Sequence, residues 1–221
     1  MKRLIFLLLT FLYFGTQIAN AQMETVPSPV IKNRVIKMDF FSPLTGNITF
    51  GYEQVLANNI TLEGNLGIIG ISLIEDGNHA KGLFIKAGPR LYFAPDYLLD
   101  GMKRYNDFQG AYFKPEFIYS GFGFDYDNYN SQNGTYTTER GTNNSIALML
   151  NLGKQWVLAR IVTLDLHAGA GYGTSFYHYD TTAPSYGYPD SFDESHKYSH
   201  IQVPEIPLTF AAGFDIGILL K

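Results

Sequence analysis

There is no cysteine among the 221 residues, which excludes a disulfide framework, thiolate metal ligands and cysteine nucleophiles together. Charge is scarce too. Asp, Glu, Lys and Arg make up 16% of the chain, where a soluble domain carries about a quarter. The net charge of -4, with no basic stripe, gives nucleic acid nothing to bind. Beyond the N-terminus, no apolar run approaches the roughly 20 residues that a membrane-crossing helix needs. What the chain does have is 17 Phe, 16 Tyr and 22 Gly. Few charges, many aromatics and no spanning helix suit a membrane protein built from strands.

The N-terminus reads as an export signal. Lys2-Arg3 is followed by the apolar run Leu4 to Phe14 and then by Ala19-Asn20-Ala21. A basic start, a short apolar core and an A-x-A end are the parts of a secretory signal peptide. The expected division is a signal peptide over 1–21, a periplasmic lead-in over 22–33 and a folded unit over 34–221.

Alternation organises the remainder. In Asn47 to Ile71, Ile48, Phe50 and Tyr52 share one face while Thr49, Gly51 and Glu53 share the other, and a turn at Leu56 to Asn59 leads into a second alternating run. Side chains alternate across a strand with period two, so this is an antiparallel hairpin. The same pattern recurs over Arg34 to Phe41, Leu83 to Phe93, Ala111 to Tyr126, Ser145 to Val157, Val162 onward, and Leu208 to the end. That gives eight strands, with polar loops expected at 127–144 and 178–205 and short turns at the opposite rim. An even count with this asymmetry predicts an all-β, eight-stranded, antiparallel up-and-down transmembrane barrel in the bacterial outer membrane. A soluble barrel would turn its apolar face inward, so the charged positions decide between the two.

Those positions share the polar face: Lys37, Asp39, Glu53, Glu63, Lys86, Arg90, Lys114, Glu116, Asp165 and Asp215, with His167 beside them. A midplane Lys or Arg facing lipid costs about 2–4 kcal/mol, so this set is expected in the bore. An eight-stranded barrel is just wide enough for side chains to fill. The charges are therefore expected to pair across the lumen and plug its lower half, with a proton or ion path as the alternative. Asn65, Gly67, Ser120, Gly169, Gly171 and Gly173 predict a roomier upper half.

Other signals are weaker. His196 and His200, near Asp190, Asp193 and Glu194, have metal-ligand chemistry but lie in a Tyr/Ser-rich segment without helical character. Ser175, His178 and Asp180 are the residue types of a hydrolytic triad, yet neighbours along a strand alternate faces. No metal or other cofactor and no catalytic residue is predicted. Tyr and Asn crowd both long loops, a composition suited to binding an extracellular ligand.

The runs GNITFGYEQVLANNITLEGNLG, GPRLYF, AYFKPEF, NLGKQW and DLHAGAGYG resemble a family of small, largely uncharacterised outer-membrane β-barrels of Gram-negative bacteria. The layout is similar to OmpA- and OmpW-like eight-stranded barrels. The resemblance implies a barrel and supplies no catalytic residue. The expected role is structural or interaction-based, for a monomer in contact with outer-membrane lipid and lipopolysaccharide. A narrow channel for small or apolar solutes and a lipid-modifying enzyme are the alternatives.

Overall fold

The computed structural model describes residues 32–71, 79–93, 107–130, 134–179 and 195–221. The expected signal peptide and most of the expected lead-in lie outside the described residues. The described residues form nine strands: β1 Arg34–Asp39, β2 Asn47–Ala57, β3 Ile60–Ile69, β4 Lys81–Tyr92, β5 Gly110–Asn130, β6 Thr135–Leu158, β7 Val162–Tyr179, β8 Ile201–Gln202 and β9 Leu208–Leu220. Neighbours pair antiparallel in the order β1 to β7, then β9, and β9 returns to β1 from Arg34↔Leu220 to Asp39↔Asp215. Eight strands therefore close a ring, which leaves no sheet edge along the barrel wall. The two-residue β8 is an addition laid against β9. Among the described residues no helix is long and apolar enough to cross a membrane.

Local chemistry sets the turns. Between β6 and β7, Ile161 N–H donates to Leu158 O at 3.0 Å, with Ala159 and Arg160 at φ 50° and 58°. Two positive φ angles match a type I′ turn, whose twist fits an antiparallel pair. Between β1 and β2 lies a 3₁₀ segment, Ser42–Thr45, closed by Gly46 at φ 81°. In β4, Pro89 is accommodated by its neighbour. The β4–β5 register runs from Ala87↔Phe117 to Leu91↔Phe113, which sets Pro89 opposite Pro115. Two residues without N–H groups thus share one gap in the ladder.

Polarity is inverted relative to a soluble barrel. Leu148, Leu150 and Leu152 are 65, 56 and 62% exposed, and Ile36, Phe50, Leu66, Ile85, Phe117, Leu166 and Phe210 join them on the outside. Ala147, Met149 and Asn151, their alternates on β6, are buried in the bore.

Two sequence expectations need correction. Residues 127–144 are not a loop: where they are described, β5 and β6 run through them, paired from Gly121↔Asn144 to Asn130↔Thr135. The run DNYNSQNGTYTTERGTNN is polar on both faces, so alternation vanishes there although Thr and Tyr favour strands. Nor is the upper bore roomy. Phe84 lies over Gly67 and Phe124 over Gly141, each ring occupying the space a Cβ would take. Ile69, Ala80, Phe84, Phe124 and Tyr126 form an apolar cluster there, with Phe122, Tyr179 and Tyr198 packed on it. At the other end Phe108 joins Val35, Leu219, Val55 and Val157.

Candidate functional site in the barrel lumen

Between those apolar layers the charged residues meet. Each is delivered by strand parity: an inward position on one strand faces an inward position on its neighbour, as in Glu53↔Glu63 and Asp165↔Asp215. Lys37 on β1 reaches Glu53, Glu63 at 2.9 Å and Asp165 at 3.2 Å, and donates to Gln155 Oε1. Arg90 on β4 contacts Glu63, Asp165 at 2.5 Å and Glu53 at 3.7 Å. Its Nη1 also donates to Gln155 Oε1 at 2.9 Å, and its guanidinium lies 4.2 Å from the Tyr112 ring centroid. Lys114 on β5 holds Glu63 at 2.9 Å and Glu116 at 2.7 Å. All seven of these ionised groups are buried.

Neutral donors complete the acids' shells. Tyr112 donates to Asp165 Oδ1 and Tyr92 to Glu53 Oε1, both at 2.9 Å. Thr61 donates to Glu53, Asn65 to Glu63 and Asn151 to Glu116. The network thereby draws on β1 through β7. These donors lower the cost of burying the acids, while Arg90 Nε is left without a hydrogen-bond partner among the described residues.

The remaining four charged positions line the same bore at its margin. Lys86, half-buried, lies 5.3 Å from the Phe84 ring centroid. Asp39 accepts from Phe41 N–H at 3.0 Å. His167 Nδ1 and Asp215 Oδ2 are 3.7 Å apart. Sequence reasoning missed Tyr92, Tyr112, Thr61 and Gln155 as members. Parity alone placed them on the inner face, but only side-chain reach reveals which of them touch.

The lumen is also entered from above. His196 pairs with Ile201, and Lys197 N–H donates to His200 O at 3.0 Å, closing a turn with Tyr198 at φ 58°. This turn sits inside the barrel mouth: Ser120 Oγ donates to Lys197 O at 3.1 Å, and Asn47 Nδ2 to Tyr198 O at 3.2 Å. Residues 195–200 of the expected loop 178–205 are therefore internal. A sequence scan sees only a Tyr/Ser-rich connection there. His200, on this turn and outside the spanning strands, is pushed down to about 3 by burial, with Lys86, Lys197 and His196 adding like charge. It is neutral at physiological pH.

Of the two weaker constellations, the triad residues Ser175 and His178 do not come together. Ser175 Oγ donates to Gln202 Oε1 at 2.8 Å, and His178 is exposed on the opposite face. Asp180, Asp190, Asp193 and Glu194 lie outside the described residues.

Residues 6–204 match a family described as "Protein of unknown function (DUF3575)". Among solved structures, the N-terminal β-barrel domain of Pseudomonas aeruginosa OprF is similar at 10% identity and a TM-score of 0.34, over 86% of this chain and 98% of that one. No curated protein matches the chain.

Proposed function

We propose that this chain, which belongs to the DUF3575 family, is a non-catalytic barrel of the bacterial outer membrane with a sealed bore. It acts as a monomeric anchor that holds the upper ends of β5, β6 and β7 outside the cell. The carrying observation is the Lys37–Arg90–Glu63–Asp165 cluster, which crosses the lumen in mutual contact. The apolar clusters above and below it support the same reading. The outward apolar belt favours a lipid surround, because a dissolved protein rarely exposes a contiguous apolar patch of more than a few hundred Å². The signal-like N-terminus favours export. Strands this long reach past the hydrocarbon, since about 9–11 tilted residues cross it, whereas β5 and β6 have 21 and 24. Their Tyr- and Thr-rich ends are the surface offered to an extracellular ligand.

The test is reconstitution of the mature chain in planar bilayers, beside an unboiled-versus-boiled gel shift that reports closure. The sealed bore gives a folded, heat-modifiable species without steady conductance. Reproducible conductance from that species would replace this reading with the channel.

A further inference from the structure

Sorted by their contacts, the ionised groups of the bore fall into two sets. Lys37, Arg90 and Lys114 each lie within 4 Å of two or more of Glu53, Glu63, Glu116 and Asp165. Asp39 and Asp215 stand outside that set. Asp215 has a side chain 9% exposed, and among the described residues its one polar contact is His167 Nδ1 at 3.7 Å. That nitrogen is itself buried with no hydrogen-bond partner. With Lys86 included, four cations (Lys37, Lys86, Arg90, Lys114) face six carboxylates (Asp39, Glu53, Glu63, Glu116, Asp165, Asp215). Two negative charges are left over, and the carboxylates beyond the reach of Lys37, Arg90 and Lys114 gather in one corner with an unused imidazole. A buried carboxylate without a counter-charge is strongly disfavoured.

The corner is compact. Asp165, His167 and Asp215 offer one ligand atom each, all within 4.8 Å of one another. Asp39 lies opposite Asp215 across the β1–β9 seam, and Asp165 lies opposite it on β7. The imidazole lies over Gly213, in the space a side chain would take: a Cβ there would stand 2.8 Å from His167 Nε2 and 3.5 Å from Asp39 Oδ2.

We infer that this corner binds one divalent transition-metal ion of the zinc type, through His167 and Asp215 with Asp165 and Asp39 within reach. An imidazole with carboxylates is a donor set that suits zinc. Two positive charges bring the bore to neutrality. The ion ties β7, β9 and β1 together where the last strand meets the first, so it locks the closing seam. The site depends on the barrel's geometry alone, so loss of zinc binding and a conducting bore are separate failures.

The experiment uses the mature chain folded in detergent micelles and stripped with EDTA. Zinc chloride is titrated by calorimetry, and the same samples are heated stepwise in SDS to follow the gel shift. One equivalent binds, and the temperature of the shift rises because only the folded barrel presents the site. Asp215→Asn and His167→Gln each weaken binding by at least about tenfold and remove the rise, while His178→Gln, at an exposed outer position, leaves both intact. Asp215→Asn deletes an uncompensated buried charge, so its metal-free form folds at least as well as the parent. Loss of binding in that variant is then not loss of fold. Absence of heat with the parent chain, or undiminished zinc binding in Asp215→Asn, overturns the inference and leaves a proton as the neutralising partner.

Discussion

Arg90→Gln strikes the bore where it is most connected. Arg90 is fully buried, touches Glu53, Glu63 and Asp165, and stacks on Tyr112. Gln keeps a donor but removes the charge. Glu63 then retains Lys37 and Lys114, and Asp165 retains Lys37. The seven-member cluster falls from three cations against four carboxylates to two against four. Breaking a buried ion pair from one side costs about 3–5 kcal/mol. At about 1.4 kcal/mol per tenfold, that is roughly two to three and a half orders of magnitude in the folding equilibrium. The single tryptophan, Trp156, reports urea unfolding from lipid vesicles by fluorescence. Arg90→Gln with Asp165→Asn removes one charge of each sign and recovers part of the loss. A single variant within about 1 kcal/mol of the parent, the range of an exposed pair, would refute a structural network. Unchanged stability with new conductance would assign these residues to a permeation path instead.

Two further outcomes follow from the same geometry. Leu150→Arg places a cation on an outer position that is 56% exposed; if that surface meets acyl chains, folding into vesicles weakens by about 2–4 kcal/mol, and an unaffected variant would argue for water outside the barrel. His200 gives a pH signature. Its folded value of about 3 lies below its ordinary 6.5, so the unfolded chain takes up the proton first as pH falls. The stabilisation is present above about 6.5 and is lost progressively between there and about 3. Urea midpoints of the parent and His200→Gln should therefore converge or cross between pH 7.5 and 4.5, and parallel curves would show that the inserted turn is open to water.

Much of the barrel was legible because the two faces of a wall strand obey opposite rules, apolar outside and polar inside. Ile146, Leu148, Leu150 and Leu152 against Ala147, Met149 and Asn151 is such a strand, and the structure sends the first set outward and the second inward. The signal failed wherever both faces meet the same medium. In the upper parts of β5 and β6 the sequence sets no apolar face against a polar one, so the strands read as a loop. Phe108 and the turn at Lys197 to His200 were hidden for a different reason: each enters the bore from a connection, and period-two reasoning says nothing about connections. Contacts across the lumen, such as Tyr112 with Asp165 at 2.9 Å, depend on strand tilt and stagger, which a linear pattern does not encode. The glycines misled in the same way. Gly67 and Gly141 mark positions where a ring from a neighbouring strand arrives, not open space.

A bore filled with charge raises the question of why it is not filled with leucine. Stability alone does not answer it, since well-packed apolar residues replace a buried ion cluster at little cost or with a gain. Register does. Shifting a strand by one residue exchanges its faces. In β4 that slip would turn Arg90 and Lys86 toward the outside and Pro89 and Leu91 toward the bore. A basic side chain at the lipid midplane costs about 2–4 kcal/mol, and its carboxylate partners would lose their counter-charge as well. β1 with Lys37 and β5 with Lys114 and Glu116 incur the same kind of penalty, so each strand is pinned to its neighbour by the polarity of its own inner face. If leucine lined both faces the two registers would be nearly equal in energy, and the strands would become unbroken apolar runs of the kind read as buried helix or membrane span. The charged bore thus gives each strand one permitted register, and it does so before the ring has closed.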